Sequence, residues 1–117
     1  MVASPARLKT LLQIADLRAD LSLQSLSEVR LNCAALREQL QQLEVNPPEG
    51  VTDEERLLGE AQRLRYEHWA DLRRSALNTQ LAAQLALAAD RQAEAKTHYG
   101  KSIVLRRLTG MPPRKSH

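Results

Sequence analysis

Residues 46–55 read NPPEGVTDEE, and this stretch decides how the chain is organised. Two consecutive prolines cannot continue a helix and the following glycine permits a tight turn, so residues 46–51 predict a single interior loop. Thr52 and Glu55 have the spacing of a capping box, in which each side chain satisfies a free backbone amide. A second helix is therefore expected to begin at about residue 53.

The outer boundaries follow from capping residues. Ser4 and Pro5 favour a helix start, because serine accepts hydrogen bonds from free amides and proline is tolerated at the first helical position. Gly110 and the two prolines after it end the second helix. One domain over residues 1–117 is predicted, with helices over about 5–45 and 53–108 and a basic tail over 109–117. The expected fold is an all-α antiparallel two-helix coiled-coil hairpin with a longer C-terminal helix.

Composition supports this fold class. Ala, Glu, Lys, Leu and Arg make up 63 of the 117 residues, and aromatic residues only 3%, as is typical of coiled coils and long helices. The single Cys33 cannot form an internal disulfide, and no apolar run is long enough to span a bilayer. No secretory signal is recognisable at the start of the chain. The sequence thus predicts a cytoplasmic protein.

Catalytic chemistry is not expected. His68, His98 and His117 are far apart and have no metal-ligand spacing around them. Gly100-Lys101-Ser102 matches the end of a phosphate-binding loop, but the earlier glycine of that motif and a preceding strand are both missing. A thin helical rod also provides no closed pocket. We therefore predict that the protein is not an enzyme and has no catalytic, cofactor-binding or metal site.

The first helix carries a heptad seam, whose members are separated by alternating steps of three and four residues. They are Leu8, Leu12, Ala15, Ala19, Ser22, Leu26, Val29, Cys33, Leu36, Leu40 and Leu43. In a hairpin turning near residue 50, partners have numbers that add to about 100. This register predicts that Leu43 faces Leu57 and that Leu36 faces Leu64.

A second apolar stripe competes with this seam in the half of the hairpin away from the loop. It consists of Ile14, Leu17 and Leu21 on the first helix and Leu77, Leu81 and Leu85 on the second. Two helices can bury only one of the two stripe pairs against each other. We therefore expect one apolar face to remain for a protein partner or for self-association into a homo-oligomer.

The predicted register also leaves the end of the second helix without a partner helix. Residues 91–117 carry a net charge of +6, and the apolar and basic residues in this overhang are Ile103, Val104, Leu105, Arg106, Arg107 and Leu108. We expect these six to contact a partner. The same reasoning predicts that truncation after Lys101 leaves the remaining chain folded.

The pattern resembles the FliJ/YscO family of stalk proteins from flagellar and injectisome type III export systems. The resemblance is carried by the shorter Leu8 to Leu43 arm, by Tyr66, Trp69 and Leu72 in the longer arm, and by the 95–108 end. It implies that the termini-bearing end contacts a hexameric export ATPase, and that the loop end or a lateral face meets the export gate or chaperones.

Two other functions are compatible with the same residues. The first is a secretion chaperone or helical adaptor, whose spare apolar stripe binds an amphipathic helix of a client protein. The second is a nucleic-acid-associated helical protein that uses the basic tail. It is less favoured, because Arg106, Arg107, Arg114 and Lys115 are not interleaved with aromatic residues or placed in a groove-reading motif.

Overall fold

A computed structural model describes residues 4–43 and 53–114, and the side chains of all of these except 53–56. The chain forms two helices, α1 (Pro5–Gln42) and α2 (Asp53–Thr109), and the described residues contain no strand. The all-α prediction is thereby confirmed. The predicted loop at 46–51 lies outside the described residues. Over the part of the chain that the structure describes, neither helix has an apolar stretch long enough to cross a membrane.

The start of α1 and the end of α2 are explained by local hydrogen bonds. At the start of α1, the Ser4 hydroxyl oxygen accepts a hydrogen bond from the backbone N–H of Arg7 at 3.2 Å, as an N-cap does. At the end of α2, Gly110 has a φ of 71°. The N–H groups of Gly110 and Met111 donate to the carbonyls of Arg107 and Arg106 at 3.3 and 2.9 Å. This is a Schellman motif, which glycine favours because it adopts positive φ without strain.

The chain divides into two compact units, and each helix contributes to both. Unit 1 combines Met1–Arg30 with Ala86–His117, and unit 2 is Leu31–Leu85. In unit 1 the buried residues of α1 are Leu12, Ala15, Ala19, Leu26 and Val29, and those of α2 are Ala95 and Ser102. In unit 2 Leu43, Ala70 and Leu77 form a buried cluster on which Leu36 and Leu40 pack. All eleven residues of the predicted seam are therefore buried or half-buried, and Cys33 is among the buried ones.

The buried side of α2 has the same spacing but a different composition. In unit 2 it comprises Ala70, Arg74, Leu77, Leu81 and Gln84, and in unit 1 Ala88, Arg91, Ala95, His98 and Ser102, all buried or half-buried. Half of these positions hold polar or charged side chains. This is why the apolar pattern of the sequence did not reveal which side of α2 packs on α1.

The predicted register is wrong in both units. In unit 2 Leu43 clusters with Ala70 instead of Leu57, whose side chain is 70% exposed, and Leu64 is 61% exposed. In unit 1 Asp16 contacts Ser102, whereas the predicted register would place it opposite a residue near 84. The difference of about 18 residues moves the partner of Asp16 by about five helical turns along α2, while α1 still packs through its predicted seam. A periodic apolar seam does not distinguish such registers.

Candidate partner-binding surfaces

A network of polar side chains joins α1 and α2 in unit 1. One carboxylate oxygen of Asp16 accepts a hydrogen bond from the Ser102 hydroxyl at 2.5 Å, and the other pairs with the Arg106 guanidinium at 2.5 Å. Ser102 is 1% exposed, and both charged partners are mostly buried. Hydrogen bonds that involve an ionised group in such surroundings are stronger than neutral ones. This network anchors the last turns of α2 on α1.

The residues after α2 extend the same network. Arg114 pairs with Asp20 at 3.0 Å and approaches Asp16 at 3.9 Å, and the Arg106 guanidinium also donates to the Pro112 carbonyl at 3.3 Å. The described part of the predicted basic tail therefore contacts α1. Sequence reasoning missed this network, because Asp16 and Asp20 lie outside the apolar stripes. The sequence feature that could have revealed the network is the presence of two aspartates near one terminus and of several arginines near the other.

The predicted overhang does not exist at this end of α2. Ser102, Ile103, Leu105 and Arg106 are buried or half-buried, because the register places them beside α1. Truncation after Lys101 would remove the three partners of Asp16, which are Ser102, Arg106 and Arg114. The expectation that the remaining chain stays folded is therefore no longer supported. Val104, Arg107 and Leu108 remain exposed.

Five of the six residues predicted to contact a partner line two separate cavities, and Leu108 lines neither of them. Ile103, Arg106 and Arg107 line a cavity of about 370 Å³ that Met111 and Arg114 close from the tail side. Val104 and Leu105 line a separate groove of about 580 Å³, which we call the basic groove. The predicted cluster is therefore not one continuous surface.

The basic groove lies between α1 and α2 of unit 1. Its apolar walls are formed by Leu11, Ile14 and Ala15 on one side and by Val104 and Leu105 on the other. Its remaining lining residues are Arg18, His98, Gly100 and Lys101. No carboxylate belongs to this set of described lining residues, and neither Arg18 nor Lys101 forms an ion pair with any residue that the structure describes.

The second apolar stripe is exposed on α1 and partly buried on α2. Ile14, Leu17 and Leu21 are all exposed, which is the condition for the partner face that the sequence predicted. On α2, Leu77 is 1% exposed in the unit 2 cluster and Leu81 is half-buried, whereas Leu85 is exposed. Leu77 therefore belongs to the contact between the helices and not to a free face.

An exposed apolar surface that the sequence reasoning missed lies on the early turns of α2. Every described residue from 57 to 69 is exposed, including Leu57, Leu58, Leu64, Tyr66 and Trp69. The rings of Tyr66 and Trp69 pack on each other in a tilted arrangement with centroids 5.7 Å apart. The expected contact of this segment with the α1 seam is absent from the described structure, because the register begins that contact at Ala70.

No protein-family model, curated protein or solved structure matches this chain. The resemblance to FliJ/YscO proteins therefore stays a prediction from the sequence. Among the described residues, no group of three or more His, Cys, Asp and Glu side chains is placed to hold a metal ion.

Proposed function

We propose that the chain is a non-enzymatic, cytoplasmic stalk subunit of a type III export ATPase complex, flagellar or injectisome. In this proposal the protein is an antiparallel coiled-coil hairpin whose termini-bearing end contacts the ATPase ring. The order of contacts is compatible with it. Within unit 2, the Gln39 side chain accepts a hydrogen bond from Arg73, and Leu36 lines a groove together with Gln80. This order of contacts favours two helices that run in opposite directions.

The main support for the proposal comes from unit 1, which contains both terminal segments. This unit combines a buried polar network with an exposed apolar and basic surface. Asp16, Ser102 and Arg106 anchor the last turns of α2 on α1. Beside this anchor, Leu108 and Arg107 remain exposed. Exposed apolar side chains flanked by charges are typical of a protein-binding surface, in which the charges favour encounter and orientation.

The test is stimulation of the export ATPase from the same organism by the purified chain. We expect the wild-type chain to raise ATP turnover, and the double variant Leu108→Glu with Arg107→Glu to lose most of this effect, because it places two negative charges on the proposed contact. The matched control is Leu31→Glu with Arg37→Glu, an exposed leucine and arginine of unit 2. Circular dichroism checks that both variants keep their helices.

Two outcomes contradict the proposal. The first is an ATPase that neither binds the wild-type chain nor responds to it. The second is equal stimulation by the wild-type chain and the Leu108 and Arg107 double variant, which would place the contact elsewhere.

A further inference from the structure

The basic groove has the features of a binding site for a helix. Leu11 and Ile14 face Val104 and Leu105 across it, and its volume of about 580 Å³ is open to solvent. A Cβ atom added at Gly100 would meet no atom within 4 Å, so the groove has unfilled space beside α2. We infer that this groove binds the first turns of α2 from a second copy of the same chain.

The chemistry of those first turns matches the groove. α2 begins at Asp53, and residues 53–64 contain four acidic residues and two arginines, for a net charge of −2. Leu57 and Leu64 are exposed on this segment, and they lie two turns apart on one side of the helix with Ala61 between them. The segment is thus an acidic amphipathic helix with an uncovered apolar stripe.

Charge complementarity selects this occupant over other apolar helices. The charged and ionisable residues of the groove are Arg18, His98 and Lys101, and the segment that would enter it is acidic. Complementary charges speed encounter and orient the docked helix, while burial of Leu57 and Leu64 contributes affinity.

The contact must be made between two chains. Residues 57–64 and the groove residues 98–105 belong to the same helix, and an α-helix does not fold back on itself. The two surfaces are different, so the contact is heterologous and leads to a ring or an open assembly of copies. The basic groove does not include Arg107 or Leu108, so self-association through it does not depend on the proposed stalk role.

Sedimentation velocity of the full chain over a wide concentration range tests the inference. We expect the wild-type chain to self-associate, and Gly100→Leu to weaken association at least about tenfold by filling the groove. Leucine is the better helix former, so this variant does not lose association through loss of helix. Ala76→Leu is the matched control, because it adds a leucine at an exposed position of α2 away from both surfaces, and it should associate like the wild-type chain.

The other side of the contact is tested by Leu57→Lys with Leu64→Lys, which places positive charges against the basic groove. Both positions are exposed, so the fold does not depend on them. We expect at least about tenfold weaker association for this variant too, with Leu31→Lys as an exposed control in unit 2.

Mixing the two defective variants gives the sharpest result. The Gly100→Leu chain keeps an intact acidic segment, and the double lysine chain keeps an intact groove. At a concentration just sufficient for the wild-type chain to associate, each variant alone should be mostly monomeric. An equimolar mixture at that concentration should form a one-to-one dimer that does not grow further. Raising NaCl from about 50 mM to about 500 mM should weaken this dimer, because exposed charges are screened.

Three results would overturn the inference. They are a wild-type chain that stays monomeric at all concentrations, a Gly100→Leu chain that associates as the wild-type chain does, and defective variants that remain monomeric when mixed. Binding of the wild-type chain to the export ATPase has no bearing on any of them, so the two proposals fail separately.

Discussion

Replacement of Asp16 by alanine is expected to destabilise the protein far more than replacement of Asp20. Asp16 accepts a hydrogen bond from a fully buried hydroxyl and pairs with a mostly buried guanidinium. Asp20 makes an ion pair with Arg114 while its own side chain is 53% exposed. The two aspartates lie one helical turn apart on α1, and both are replaced by alanine. The two variants therefore differ mainly in the contacts that each aspartate makes.

The expected loss in free energy of unfolding follows from the two groups that lose Asp16 as their partner. Alanine at position 16 leaves the Ser102 hydroxyl buried without an acceptor, which costs about 1–3 kcal/mol. It also leaves Arg106 without its carboxylate. Breaking a fully buried ion pair costs about 3–5 kcal/mol, but Asp16 is 24% exposed and water compensates part of the loss. We therefore expect the free energy of unfolding to fall by about 2–3 kcal/mol for Asp16→Ala, and by less than about 1 kcal/mol for Asp20→Ala.

Urea unfolding followed by circular dichroism measures both changes. With a slope of about 1–2 kcal/mol per molar urea, the midpoint of Asp16→Ala should fall by about 1–3 M and that of Asp20→Ala by less than half as much. A double-mutant cycle with Arg106→Ala should give a coupling energy of about 1 kcal/mol or more, because the two side chains are in contact. Equal midpoints for the two aspartate variants, or a coupling energy near zero, would refute the network as the anchor of α2.

Two further predictions concern single residues of α2. Leu77→Ala should lower the free energy of unfolding by about 2–4 kcal/mol, because it removes a fully buried side chain from the cluster that includes Leu43 and Ala70. Leu72→Ala, at an exposed position, should change the free energy of unfolding by less than about 0.5 kcal/mol. Equal losses in urea unfolding would contradict the observed register. Gly110→Ala should cost about 1–2 kcal/mol, because its φ of 71° is unfavourable for any residue with a Cβ, and a thermal unfolding temperature equal to that of the wild-type chain would contradict the Schellman ending.

The sequence predicted much about α1 and much less about α2. Every member of the α1 seam is apolar or small, so the three-and-four spacing identified the side that becomes buried. On α2 the buried side includes Arg74, Gln84, Arg91 and Ser102, whereas Leu57 and Leu64 are exposed. The hydrophobic pattern therefore did not identify which side of α2 is buried.

Local residue chemistry determined the two helices, and tertiary contacts determined their register. Caps, prolines and glycine act on neighbouring residues, so the sequence by itself determined that the chain forms two long helices and where their described outer ends lie. The register was decided only by the tertiary structure, because a heptad seam repeats and fits several registers with similar apolar burial. The pairing of Asp16 with Ser102 and Arg106 occurs in one of these registers. Leaving such groups buried without partners costs more than a small change in apolar contact.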